Sequence, residues 1–139
     1  MTNCAYCQEG KVLDAFGIKI CELPHSKVYL FKEQSHPGRV IVATKQHVAE
    51  LTDLTPEERA GFFDDVAKTA DAIRKLFKPD KINYGAYGDT AGHMHFHLVP
   101  KYKDGFEWGG VFAMNPGAKL LSDAEYADLT AKIKNALEA

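Results

Sequence analysis

The segment His93-Met94-His95-Phe96-His97-Leu98-Val99 alternates histidine with apolar residues. In an extended chain successive side chains point to opposite faces. His93, His95 and His97 therefore share one face at about 6.5–7 Å spacing, with Met94, Phe96 and Leu98 on the other. The apolar set fixes the register against a core, because a one-residue slip would exchange the two faces and bury all three histidines. Half of the chain's six histidines thus line one short surface, directly after a loop, Gly88 to Gly92, that carries two glycines. Imidazole titrates near neutral pH and serves as nucleophile, acid, base or metal ligand. The pattern predicts a chemical site.

The 139 residues fit a single domain, 1–139, with a real core that needs no disulfide. A net charge of −2 argues against a broad basic surface for bulk nucleic acid, while leaving room for a local phosphate site. No signal peptide is recognised at the N-terminus, and no apolar stretch approaches the ~18 residues of a membrane span. Three cysteines suit a reducing cytoplasm better than a secreted disulfide framework.

Strands are predicted from Val12 to Leu23 with a bend at Gly17, and over 27–32, 39–43, 81–87 and the histidine segment. Thr55-Pro56-Glu57-Glu58 combines an N-cap, a proline at the first helical position and a capping box. A helix of about 20 residues follows, ended by Pro79. Its predicted buried stripe is Phe63, Val66, Ala67, Ala70, Ile73 and Phe77, with Asp64 and Asp65 solvated and Phe62 off the stripe. Ser122 to Glu125 opens a last helix with a second capping box. His25 and His36 sit in turns, where an exposed histidine without a task is expected. The aromatic and lysine-rich stretch 101–110 reads as a loop in which Trp108 packs or stacks a base.

Cys4-Ala5-Tyr6-Cys7 has the spacing of two ligands of one tetrahedral zinc, which needs two more ligands elsewhere. A redox pair would need a preceding strand, for which there is no room. Two unrelated reduced cysteines also fit the spacing.

The alternating histidines, the glycine loop, Asn83-Tyr84-Gly85 and the Lys45-Gln46-His47 segment together resemble the histidine-triad (HIT) family. The resemblance implies an α+β fold with a mostly antiparallel, five-stranded sheet, one long helix, a C-terminal helix and pairing as a homodimer. It implies hydrolysis or transfer of nucleotides at the α-phosphate, with dinucleoside polyphosphates and nucleoside phosphoramidates as the candidate substrates. His95 would attack phosphorus and form a nucleotidyl-histidine, a covalent intermediate that divides one displacement into two. His97 would hydrogen-bond the phosphate, and Thr90 would assist the leaving group. Asn83, Gly88, Asp89 and Gly92 would line the nucleotide site, with Glu33 nearest to the expected ribose-binding carboxylate. Zinc-containing relatives imply a structural zinc on Cys4, Cys7, His47 and His93. Asp89 stands where glutamine is common, and Arg39 where another branch often has histidine. The alternatives are a zinc-stabilised nucleotide-binding module with little catalysis, and a triad that itself holds a catalytic metal.

Overall fold

The computed structural model describes residues 4–90 and 92–139. The chain is α+β. Two single-turn helices, α1 (Ala5–Gln8) and α2 (Lys11–Asp14), precede strands β1 (Gly17–Leu23), β2 (Ser26–Phe31) and β3 (Val40–Thr44). A 3-10 turn at Leu51–Asp53 leads into α3 (Pro56–Phe77); β4 (Lys81–Gly85), β5 (His95–Lys101) and α4 (Asp123–Glu138) complete the fold. The expected first strand starts later than predicted. Val12 lies in α2, which turns Leu13 inward, and extended structure begins at Gly17.

The strands form one sheet in the order β1-β2-β3-β5-β4, every neighbouring pair antiparallel. The histidine strand is therefore internal. Ile41 faces His97 and Ala43 faces His95 from β3, while Gly85 faces His97 and Asn83 faces Val99 from β4. Directly opposed residues share a sheet face, so Asn83, Gly85, Ile41 and Ala43 lie on the histidine side.

The other side carries the main core. Val28, Leu30, Val40, Val42, Ile82, Met94 and Leu98 pack against Phe62, Val66 and Ile73 of α3 and Ile133 and Leu137 of α4. Helix α3 starts where its signals place it: Thr55 Oγ1 accepts from the Glu58 N–H, and the Glu58 side chain accepts from the Thr55 N–H. Its buried stripe is rotated from the predicted one. Phe62 is 1% exposed and Phe63 41%; adjacent phenylalanines make the phase ambiguous, and Phe62 is the one that points at the sheet. The same rotation buries Asp65, whose carboxylate accepts from Ser26 Oγ (2.7 Å) and the His25 N–H (2.8 Å), tying α3 to the β1–β2 turn.

The two phenylalanines separate in a stability measurement. Phe62→Ala should cost about 3–5 kcal/mol in urea unfolding, as expected for a buried aromatic, and Phe63→Ala about 1 kcal/mol or less. Equal costs would contradict this helix phase.

Candidate active site and metal cluster

The histidine face is not open to water. His93, His95 and His97 are all buried, at 2, 7 and 3% exposure. Their roof comes from segments on either side of the chain. Tyr6 of α1 lies with its ring centroid 4.9 Å from that of His95 and 5.4 Å from that of His93. Phe31 and Phe112 flank His97 at 5.4 and 6.1 Å. Phe112 can lie there because its neighbour in β4 is Gly85, where a Cβ would stand 2.6 Å from the Phe112 ring.

Burial removes water as a hydrogen-bond partner, so each ring's proton is assigned by a neighbouring protein group. His93 donates from Nε2 to the Thr44 carbonyl (2.7 Å), leaving Nδ1 bare. His95 is the reverse: Nδ1 donates to the His93 carbonyl (2.7 Å), so Nε2 carries the lone pair. His97 Nδ1 meets the guanidinium of Arg39, at 3.3 Å from Nε and 3.0 Å from Nη2. Guanidinium has no acceptor, so Nδ1 accepts and the His97 proton sits on Nε2. Burial lowers the pKa of all three rings. At His97 burial, then the Arg39 charge, then His95, bring it down to about 3.

The bare Nδ1 of His93 faces a cluster of soft ligands. It lies 3.3 Å from Cys4 Sγ, 3.6 Å from Cys7 Sγ and 3.3 Å from His47 Nδ1, and Cys7 Sγ lies 3.2 Å from His47 Nδ1. All four ligand atoms fall within 4.8 Å of one another. Zn–N bonds of ~2.0–2.1 Å and Zn–S bonds of ~2.3 Å give a tetrahedron with edges of about 3.3–3.8 Å, and the four individual separations, 3.2 to 3.6 Å, are close to those edges. The donor set and its spacing fit a four-coordinate metal ion.

A HIT domain model matches residues 16–104. The chain belongs to the HIT family. The HIT protein named Protein hit in Bacillus subtilis is 32% identical over 117 residues, covering 79% of each chain. A bis(5'-nucleosyl)-tetraphosphatase (asymmetrical) from Schizosaccharomyces pombe is 36% identical over 75 residues, half of this chain and 41% of that enzyme. Among solved structures, a histidine triad protein from Marinobacter aquaeolei shares the fold with a TM-score of 0.84 at 22% identity, over 93% of this chain and 94% of its own. A zinc-bound histidine triad family protein from Mycobacterium smegmatis matches with a TM-score of 0.65 at 25% identity, over 99 and 94% of the two chains.

Within this HIT fold, His95 and His97 stand side by side, ring centroids 5.5 Å apart, while His93 turns to the cysteines. The three rings do not converge on one metal. Asn83 is half-buried on the histidine face of β4. Gly88 and Gly92 have φ of +84° and +61°, a backbone shape that favours glycine, and the Gly92 N–H closes the loop on the Gly88 carbonyl at 3.1 Å. Asp89 and Thr90 are exposed on that loop. Glu33 is buried, and its carboxylate already accepts from Ser35 N–H and Oγ and from the Ala118 and Lys119 N–H groups. Against the upward push of burial, those bonds hold its pKa below the usual carboxylate range.

Three other buried polar groups depart from their reading in the sequence. His36 is 3% exposed and pairs with Glu107 at 2.7 Å, under the ring of Phe106. Lys101 ends β5 rather than starting a loop; its buried ammonium donates to the Glu107 carbonyl (3.1 Å) and to that of Gly110. Arg39 carries no local signal of its place beside His97, although strand parity puts residue 39 on the face of Ile41. Trp108, by contrast, is exposed.

His97 links protonation to stability. An unfolded histidine takes up a proton near pH 6.5, whereas the folded ring stays neutral down to about pH 3. The unfolded state therefore binds more protons in that window, and this residue's contribution to stability falls as pH drops from 6.5 towards 3. Between pH 7.5 and 4.5, urea unfolding should lose about 2 kcal/mol more in wild type than in His97→Asn. A parallel pH dependence in the two proteins would refute this.

Proposed function

We propose that this HIT protein is a nucleotide hydrolase or nucleotidyl transferase acting at an α-phosphate through His95. One observation carries the reading: the His95 Nδ1–H is held by the His93 carbonyl, which leaves Nε2 as an uncharged nucleophile beside the Nε2–H of His97. The naming of the related fission-yeast protein as a dinucleoside tetraphosphatase supports the substrate class. In the first step a bond forms between His95 Nε2 and phosphorus while the bond to the leaving oxygen breaks, and that oxygen departs with the electron pair. In the second, water or another acceptor bonds to phosphorus, the P–N bond breaks and its pair returns to Nε2. The acceptor's proton passes to solvent. Covalent catalysis of this kind divides one displacement into two.

The remaining roles are assigned on the same reading. His97 donates to a phosphate oxygen, Thr90 assists the leaving group, and Asn83, Gly88, Asp89 and Gly92 border the nucleotide. Glu33 is assigned to the ribose edge through Oε1, which accepts only the Ser35 N–H, whereas Oε2 already takes three donors. Backbone N–H groups of a glycine loop are suited to charge developing on phosphate oxygens.

Cys4, Cys7, His47 and His93 would hold a structural zinc, which with four protein ligands has no open position for water and serves as a fixed tie. A homodimer would pair through the outer edge of β4, where Tyr84 and, just past the strand, Tyr87 are exposed. None of Cys4, Cys7 and Cys21 is in a disulfide, in keeping with a reducing cytoplasm. No helix among the described residues is long and apolar enough to cross a membrane.

Brief incubation with diadenosine tetraphosphate or adenosine phosphoramidate, quenched at alkaline pH, should add one adenylyl mass to the intact chain. His95→Asn should abolish both adduct and turnover. Nucleotide binding without adduct or turnover would leave a binding module and overturn the catalytic reading.

Elemental analysis tests the metal. About one zinc per chain is expected, lost in Cys4→Ser, with a lowered Tm after chelation. Metal-free wild type whose Tm is indifferent to chelator and added zinc would exclude it.

A further inference from the structure

Arg39 is fully buried, and among the described residues no carboxylate lies within ion-pair distance of it. Its guanidinium is held from every side. Nε and Nη2 donate to His97 Nδ1, Nη2 also to the Met114 carbonyl (2.8 Å), and Nη1 to the Ala113 carbonyl (3.1 Å). The rings of Phe31 and Phe112 stack against it, at 4.1 and 4.9 Å from its central carbon. Burial lowers its pKa to about 10, opposed by Glu33 and Glu107, so it is a cation at neutral pH. An apolar side chain would fill such a slot at lower desolvation cost. Besides satisfying the Ala113 and Met114 carbonyls, a cation with fixed donors acts on the ring it touches.

That effect is one-directional. A neutral histidine in its place could donate or accept and would leave the tautomer of its neighbour open. A guanidinium can only donate, and its charge also opposes a second proton on the ring. His97 is thereby limited to a neutral Nε2–H, which donates a hydrogen bond but is a very weak acid. General acid catalysis needs a group whose pKa lies near the working pH.

Leaving groups respond differently to that limit. A phosphoanhydride releases a phosphate oxygen that departs as a stable anion and needs no proton. A phosphoramidate releases nitrogen, which must gain a proton as the P–N bond to the substrate breaks.

Resting on the nucleotide reading above, we propose that Arg39 is a positioning and specificity-determining residue: by fixing His97 as a neutral Nε2–H donor, it selects phosphoanhydride substrates over phosphoramidates. The nucleotidyl group transferred to His95 and the bond it forms there are the same in both cases, and selectivity arises only from the fate of the leaving atom.

The test combines a spectrum with a substrate ratio, both on the zinc-loaded 139-residue chain. Two-dimensional 15N–1H spectra of the imidazoles should show His97 protonated at Nε2 and bare at Nδ1 from pH 8 to pH 5. Wild type should prefer diadenosine tetraphosphate to adenosine phosphoramidate in kcat/KM by at least about 100-fold. Arg39→Gln should narrow that ratio by about tenfold or more, and Arg39→Lys, which keeps a cationic donor, should retain most of it. A wild type that prefers the phosphoramidate, an Nδ1–H signal at His97, or an unchanged ratio in folded Arg39→Gln would each overturn the proposal. If Arg39→Gln fails to fold, the wild-type spectrum, the wild-type ratio and Arg39→Lys still decide it. The two readings fail differently. An Nε2–H tautomer with no turnover of either substrate would remove the nucleotide reading and the selectivity with it. Turnover through a His95 adduct with His97 protonated at Nδ1 would remove this inference alone.

Discussion

Withdrawal of water from three neighbouring imidazoles is the constraint on which this site depends. A solvated histidine exchanges its proton between two nitrogens and with the solvent; a roofed one keeps whichever proton its neighbours hold. Here the neighbours differ from ring to ring. A backbone carbonyl of β3 takes the Nε2–H of His93, the His93 carbonyl just ahead of β5 takes the Nδ1–H of His95, and Arg39 presses donors onto Nδ1 of His97. The same residue type thus offers a bare Nδ1, a bare Nε2 and an N–H within one segment. One points to the cysteines; the other two are displayed side by side. Chemical differentiation comes from the second partner of each ring, not from the ring.

The roof and the metal cluster are one mechanical unit. Cys4 caps α1, accepting the Cys7 N–H on its sulfur at 3.3 Å, and the single turn between them carries Tyr6. A helix of four residues has no independent stability, so its position depends on what holds its ends. Side-chain contacts from Cys4 and Cys7 to His93 and His47 hold one side of it, and packing of Tyr6 against Tyr29 and Phe16 holds the other. Losing the Cys/His cluster would therefore reach His95 by loosening the ring that covers it, with no change in the histidine strand's own hydrogen bonding to β3.

Much of the scaffold was legible because its signals are local. Capping boxes at Thr55 and Ser122 marked the two long helices, β-rich runs marked the strands, and the period of two placed Met94 and Leu98 in the core. What was illegible involves groups brought together by tertiary structure. Period-two patterning says that histidines share a face, but not that Tyr6, Phe31 and Phe112, from three separate segments, will cover it. The Phe62-Phe63 pair gave the helical stripe two possible phases, one residue apart. His36 was expected to be exposed and Lys101 to lie in a loop, and nothing local marks Arg39 or Glu33 as buried, since charged residues seldom are. Their burial depends on partners 71, 9, 58 and 86 residues away.

Those four buried groups have a common partner, and it explains why they are tolerated. Lys101 donates to the carbonyls of Glu107 and Gly110, Arg39 to those of Ala113 and Met114, and Glu33 accepts from the amides of Ala118 and Lys119. His36 holds the Glu107 side chain, which in turn accepts the Ala113 N–H. The segment from 107 to 119 has no regular secondary structure, so its backbone groups must find partners outside a helix or sheet ladder. Buried side-chain charges and irregular backbone satisfy one another: the cations meet carbonyls, the carboxylate meets amides, and neither is left unpaired. Because Arg39 belongs both to this network and to His97, the path of the segment and the protonation pattern of the site are set by the same guanidinium. A change that moves Ala113 and Met114 would be felt at His97 Nδ1 through the guanidinium they hold.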